Sequence, residues 1–294
     1  MVDCTTLRTA PTGRLFVLSL VLLLLAGPVA AQFTSSVNVV EVYVSVVDRD
    51  GRPVKGLTQA DFELAEDGRP QPISTFVAGD FPLTAALALD ASFSMAGRPL
   101  QTVKAAGKSF LQALRPEDES LIVGMSSRVE VLAGPGVPRP RQMGAIDGLS
   151  AWGTTTLYDS VIASIDAVDG ARGRRALVIL SDGDDRYSEA TADETLMRAR
   201  RSNVMVYPVA LGRERPGIFA ELSSLTGGRS FHSRDYTGVD QIMVRIAEEL
   251  REQYLLGYTP TRPPVSGANE WRSISVRVKR EGVSVRARNG YYVH

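Results

Sequence analysis

Asp90, Ser92 and Ser94 stand two residues apart, directly after an apolar run at 83–89. A carboxylate and two hydroxyls delivered onto one turn are three hard oxygens, the donors that small divalent cations take. Two other stretches repeat this chemistry. Gly153-Thr154-Thr155-Thr156 opens a helical pattern, and Ser181-Asp182-Gly183-Asp184-Asp185 follows a second apolar run at 175–180. Taken singly, each is an ordinary turn, because serine, threonine and aspartate are common caps and turn formers. Together, in this order beside core elements, they make a joint signal for one cation site. A small site of few oxygen donors suits Mg2+ or Mn2+ better than Ca2+, which takes more ligands. Neutral hydroxyls and few carboxylates leave such a cation under-neutralised and attractive to an outside anion.

The elements that must carry these loops are legible in the periodicity. Strands are expected at 83–89, 120–125, 175–180 and 204–210, with short edge strands at 129–132 and 229–232. Helices are expected at 99–114, 143–149, 157–168, 191–202, 218–225 and 239–253, several with apolar positions at helical spacing, such as Val103, Ala106, Phe110 and Leu114. The long strands are continuously apolar, so both faces of their sheet are covered. Strands alternating with helices predict a doubly wound, Rossmann-like α/β domain with a mostly parallel sheet and helices on both faces. Ligands of such sheets bind beyond the carboxyl ends of the strands, near a switch in strand order.

The three loops resemble those of a von Willebrand factor type A domain carrying a metal-ion-dependent adhesion site. Asp90-Ala91-Ser92-Phe93-Ser94 matches the family's first loop, and Asp182-Gly183 resembles its third. Gly153-Thr154-Thr155-Thr156-Leu157-Tyr158-Asp159 is similar to the bacterial Gly-Gly-Thr-x-Leu-Tyr-Asp form. It places the site threonine at Thr155, with Thr154 as the alternative because a threonine stands where the second glycine is usual. The resemblance covers 83–253. It implies octahedral coordination in which Ser92 and Ser94 bind the metal directly. Thr155, Asp90 and Asp182 would bind directly or through water, and a partner's carboxylate would fill an open position. It also implies that the last helix, 239–253, shifts on binding.

Neighbouring residues have plainer readings. Asp184 and Asp185 read as solvated turn residues, and Asp159 as a carboxylate favoured by a helix N-terminus. Tyr158 reads as packing, and Trp152 equally as a partner contact or as core. Enzymatic alternatives are a Mg2+-dependent hydrolase or a phosphoryl-transfer enzyme using the same acidic loops. Ser92 stands where a second carboxylate is wanted for the latter, and Ser94 lacks the Gly-x-Ser-x-Gly elbow. His232 and His294 are the only histidines. The expectation is therefore a non-enzymatic module that binds an acidic side chain of a partner protein.

The flanks are β in character. Strands are expected at 37–47, 62–66 and 73–77 before the α/β region, and at 254–258, 273–279 and 283–288 after it. In the first, Val40, Val42, Val44 and Val46 share one face, with Glu41, Tyr43 and Ser45 on the other. Neither flank buries much alone, so the two are expected to combine into one small β-sandwich into which the α/β domain is inserted. Within them, 57–76 and 254–292 resemble the β segments of exported bacterial type A-related proteins common in acidobacteria. The N-terminus reads as a secretory leader: Arg8 and Arg14, an apolar run at 15–26, then Val29-Ala30-Ala31 at a cleavage site. The expected organisation is a signal peptide at 1–31, a β segment at 32–82, the α/β domain at 83–253 and a β segment at 254–294. The sole cysteine, Cys4, leaves with the leader, and no stable membrane span follows. Lysine plus arginine and aspartate plus glutamate both number 33, which gives no basic excess for nucleic acid. The expected location is exported, periplasmic or extracellular.

Overall fold

A computed structural model describes residues 39–79, 81–183, 185–262 and 269–293. The expected leader, Cys4, Asp184 and His294 lie outside the described residues. Four strands come first: β1 (Val40–Val47), β2 (Phe62–Glu66), β3 (Arg69–Pro70) and β4 (Thr75–Ala78). The alternating region runs β5 (Leu83–Asp90), α1 (Arg98–Ala113), β6 (Glu119–Met125), β7 (Val129–Ala133), α2 (Arg139–Asp147), α3 (Leu157–Asp169) and β8 (Arg174–Ser181). It continues with α4 (Ala192–Arg201), β9 (Val204–Leu211), α5 (Gly217–Thr226), β10 (Phe231–Ser233) and α6 (Val239–Arg251). β11 (Tyr254–Tyr258), β12 (Glu270–Val278), β13 (Ser284–Arg286) and β14 (Gly290–Val293) close the chain.

Every residue of β5 and β9 is buried, which follows from their apolar runs. Their six-stranded sheet has the order β10-β9-β8-β5-β6-β7, parallel except for β7, which pairs antiparallel with β6. Side chains alternate across it. Leu87 and Leu89 meet α1, α2 and α6 on one face, whereas Ala86 and Ala88 meet α3, α4 and α5 on the other. Phe110 and Ile165, wholly buried on opposite faces, each contribute roughly 2–3 kcal/mol of burial. The expectation of a doubly wound α/β domain therefore holds. Helix α2 begins four residues before the expected 143, because Pro140 sits in its first turn, where no donor N–H is needed. The strand expected at 229–232 lies at Phe231–Ser233.

The remaining strands form two antiparallel sheets, β13-β1-β11-β4 and β14-β12-β2-β3. Each mixes strands from both ends of the chain. One apolar core lies between them, with Val42 and Val44 of β1, Phe62 and Leu64 of β2, Leu256 of β11 and Ile274 of β12. Glu66 and Arg272 are buried in this region and pair at 3.2 Å, while Tyr258 and Tyr291 each donate to Glu66 Oε2 at 2.8 Å. Four strands are thereby tied through one carboxylate.

The second face of β1 is also covered. Tyr43 packs against Phe81 and joins the core of the six-stranded sheet, and Ser45 accepts from Gln253 Nε2 at 2.8 Å. Helix α6 passes through only Glu252 and Gln253 before entering β11. Its Glu249 accepts from Tyr207 Oη at 2.9 Å and pairs with Arg286 of β13 at 2.5 Å. The helix end is thus held by groups from β1, β9 and β13.

Candidate metal centre

Strand order explains where a site forms. From β5 the chain moves to β6 on one side and returns to β8 on the other. The connections leaving β5 and β8 therefore part in opposite directions and open a crevice at their carboxyl ends. Asp90 is the last residue of β5, and Asp182 follows the last residue of β8. After Asp90 the chain makes a short 3-10 turn, Phe93–Met95, pinned from beneath by the wholly buried Met95. Two backbone hydrogen bonds clip this turn to the threonine loop: Phe93 N to Gly153 O at 3.0 Å and Trp152 N to Ala91 O at 2.9 Å. Gly153 has φ 67°, and a Cβ there would collide with the Ser127 hydroxyl. A glycine is required to bring the loop this close.

Ser92 Oγ and Ser94 Oγ lie 2.9 Å apart, and Ser94 Oγ donates to Asp182 Oδ1 at 3.0 Å. Oxygens from the first and third loops are therefore in contact. Ser92, Ser94, Thr154, Thr155 and Asp182 line one cleft of about 470 Å³. Thr154 is engaged elsewhere: its N–H donates to Ser127 Oγ at 2.8 Å, and the two hydroxyls lie 3.2 Å apart. Thr155 is buried, and its hydroxyl faces Gly183, 3.7 Å from where a Cβ would stand. Asp90 does not line the cleft. It is fully buried beneath it, accepting from Ser92 N–H at 2.9 Å and from Ser181 Oγ at 2.5 Å.

Burial pushes the Asp90 carboxyl up to about 6, against the hydrogen bonds from Ser181 and Ser92, and the nearby Asp182 raises it further. Burial also raises Asp182, opposed by the Ser94 hydrogen bond and by Arg186. Asp182 lines the cleft and Asp90 lies buried beneath it, and their hydrogen-bond donors are the neutral hydroxyls of Ser94 and Ser181 and the Ser92 N–H. That donor set fits a hard divalent cation, which would relieve both desolvated charges. Among the described residues no group of three or more histidine, cysteine, aspartate or glutamate side chains is placed to hold a metal. A cation here would depend on hydroxyl oxygens.

Three contributors were not legible from motif reading. Ser181, the last residue of β8, supplies the hydroxyl on Asp90; its place directly before Asp182 was the available signal. Arg186 and Glu214 line the cleft from the loops after β8 and β9, with no spacing to mark them. Asp185 is not a solvated turn residue. It accepts from Tyr158 N–H at 3.2 Å and from the Ser188 hydroxyl, fastening the third loop to α3. Asp159 answers from the helix, accepting from Glu189 N–H and Ala190 N–H at 3.0 Å each. Trp152 is 39% exposed rather than core. His232 does not line the cleft, and its Nε2 lies 2.9 Å from Gly212 O.

Residues 85–184 match the family model of the von Willebrand factor type A domain. That segment is similar to a type A domain. The matched segment includes Asp90, Ser92, Ser94, Thr155 and Asp182. A von Willebrand factor type A protein from Catenulispora acidiphila is 13% identical, covering 86% of this chain and 73% of its own, with a TM-score of 0.53. Proximal thread matrix protein 1 from the mussel byssus is 17% identical, covering 62% of this chain and 49% of its own, with a TM-score of 0.51. Another structure of that mussel protein is described with zinc occupying its MIDAS motif; it is 16% identical, covers 63% and 49%, and has a TM-score of 0.51. This chain thus spans about half the length of the mussel protein. At these identities the likeness is one of type A fold. No curated protein matches the chain by sequence.

Proposed function

We propose that this protein is a metal-dependent protein-binding module, with a role in adhesion or scaffolding. Its type A domain would hold Mg2+ or Mn2+ through Ser92, Ser94, Thr155, Asp90 and Asp182, and would bind an acidic side chain of a partner protein. The observation that carries this reading is the chain of contacts Ser92 Oγ–Ser94 Oγ–Asp182 Oδ1 at 2.9 and 3.0 Å, facing an open cleft above the buried Asp90. The engagement of Thr154 with Ser127 supports Thr155 as the site threonine. A bound cation supplies a Lewis-acidic position for a carboxylate oxygen. The protein's own part is to hold its hydroxyls rigidly, by the clips between the first two loops.

The proposal includes export after removal of residues 1–31, with the α/β domain at 83–253 between β segments at 32–82 and 254–294. No helix among the described residues is long and apolar enough to cross a membrane. The protein is proposed not to be an enzyme. Ser94 contacts Ser92 and Asp182 rather than a histidine, so the serine–histidine pairing of a hydrolase is not formed there.

Calorimetric titration with Mg2+ and Mn2+ tests the reading. The protein is expected to bind one divalent ion, and Asp90→Ala to weaken binding roughly 10–100-fold, the range seen when groups supporting a metal are removed. Unchanged binding in Asp90→Ala would remove the central claim. Turnover of phosphate or acyl esters that Ser94→Ala abolishes would favour the hydrolase alternative.

A further inference from the structure

Among the described residues, six large hydrophobic side chains are strongly exposed. Three of them belong to the loops of this one edge: Phe93 at 67%, Trp152 at 39% and Tyr187 at 70%. They come from three stretches far apart in sequence, one per site loop. Phe93 and Tyr187 line the cleft, and Trp152 directly precedes the lining residue Gly153. Phe93 is presented by a turn whose neighbours Ser92 and Met95 are buried, and the backbone of Trp152 is clipped to Ala91. Phe93 and Trp152 are therefore presented outward by a hydrogen-bonded backbone. Exposed aromatic groups clustered on a cleft rim are the usual mark of a protein-binding surface.

The charges on the rim add direction. Arg186 lines the cleft and is exposed; its backbone N–H donates to Thr155 O at 3.1 Å, which fixes where its cationic side chain leaves the third loop. Glu214 is the other exposed charge lining it. With a divalent cation on the floor, the floor and Arg186 are both positive. An acidic segment complements them, while Glu214 disfavours acid at its own position.

We propose that this rim is a docking surface for a protein segment in which an acidic residue adjoins a large apolar one. The acid faces the cleft floor, the apolar side chain packs on Phe93 and Tyr187 beside Trp152, and a second acidic group meets Arg186. The acid contact rests on the metal reading above; the apolar contact does not.

A random dodecapeptide display library, panned on the full-length protein in Mg2+, tests this. The expected winners carry aspartate or glutamate next to phenylalanine, tryptophan, tyrosine or leucine. Synthetic winners are expected to bind the Phe93→Ser/Tyr187→Ser double variant about tenfold or more weakly, while that variant binds Mg2+ as the parent does. Winners that are acidic without an apolar neighbour would overturn the proposal, as would equal binding to the double variant. Apolar-rich winners unaffected by chelator or by Ser94→Ala, yet lost in the double variant, would support the aromatic surface and sink the metal reading instead.

Discussion

Ser181 and Asp90 show how much of a site rests on one hydroxyl. Asp90 is fully enclosed, and its Oδ2 has Ser181 Oγ at 2.5 Å while its Oδ1 has the Ser92 N–H. A buried carboxylate that loses a donor keeps its desolvation cost without the compensation. Ser181→Ala is therefore expected to destabilise the protein by about 1–3 kcal/mol, read as a lower urea midpoint. The same change should weaken Mg2+ binding roughly 10-fold or more, since Asp90 would lose the contact that orients it. An unaltered midpoint together with unaltered Mg2+ binding would mean that Ser181 is a bystander.

Between the elements, the informative contacts join the α/β unit to the flanking strands. Glu249 on α6 accepts from Tyr207 of β9 and pairs with Arg286 of β13, whose side chain is 21% exposed. Replacing Glu249 by alanine takes the carboxylate away from a mostly buried guanidinium and from the Tyr207 hydroxyl, which keeps only Gln253 Nε2 at 3.2 Å among these contacts. The expected loss is about 3 kcal/mol, against about 1 kcal/mol for Tyr207→Phe, both from urea unfolding. These contacts oppose the sliding of the last helix that the family resemblance implies. A pH effect belongs at this scale too. Asp67 turns the chain between β2 and β3 at φ 47° and accepts from Ser273 N–H at 2.9 Å and Oγ at 3.0 Å. The Ser273 backbone hydrogen bond, aided by the Ser273 hydroxyl and Arg262, holds its carboxyl below the usual range. Its stabilisation is complete above the ordinary carboxylate pKa of ~4 and is lost as pH falls through the lower folded value. Between pH ~6 and ~3 the parent should lose more stability than Asp67→Asn, which keeps a side chain tolerant of positive φ. Equal losses in the two proteins would show that Asp67 does not couple to pH.

Across the whole molecule, the two flanks are one structure. β1 has β11 and β13 as its neighbours, and β2 has β12 and β3. Deleting 254–294 strips both neighbours from β1 and one from β2, and it exposes Val42, Val44 and Phe62. The shortened chain is expected to aggregate on expression. The two tryptophans report on the intact protein from different places, Trp152 beside the cleft and Trp271 on β12 against Tyr292. Single-tryptophan variants made with Trp152→Phe and Trp271→Phe should unfold in urea at the same midpoint, because β1 belongs to both cores. Separate midpoints would show that the sandwich and the α/β unit unfold independently.

Much of this was written in the chain. Continuously apolar runs such as 83–89 and 204–210 specify strands covered on both faces, and the helical spacing of Val103, Ala106 and Phe110 specifies a helix packed on them. Those are local consequences of burial. Asp90, Ser92 and Ser94 could be singled out because a strand end, a carboxylate and two hydroxyls fall within five residues. What sequence could not give was distance between loops. Only the strand order, with β8 returning beside β5, sets Asp182 against Ser94, and only the clip from Phe93 N to Gly153 O decides that Thr155 shares their cleft. The second face of β1 was likewise open until Tyr43 and Ser45 met the α/β core. Periodicity reports which residues are buried, because burial repeats with the backbone; which surfaces meet depends on contacts between residues far apart in the chain, and no local pattern encodes them.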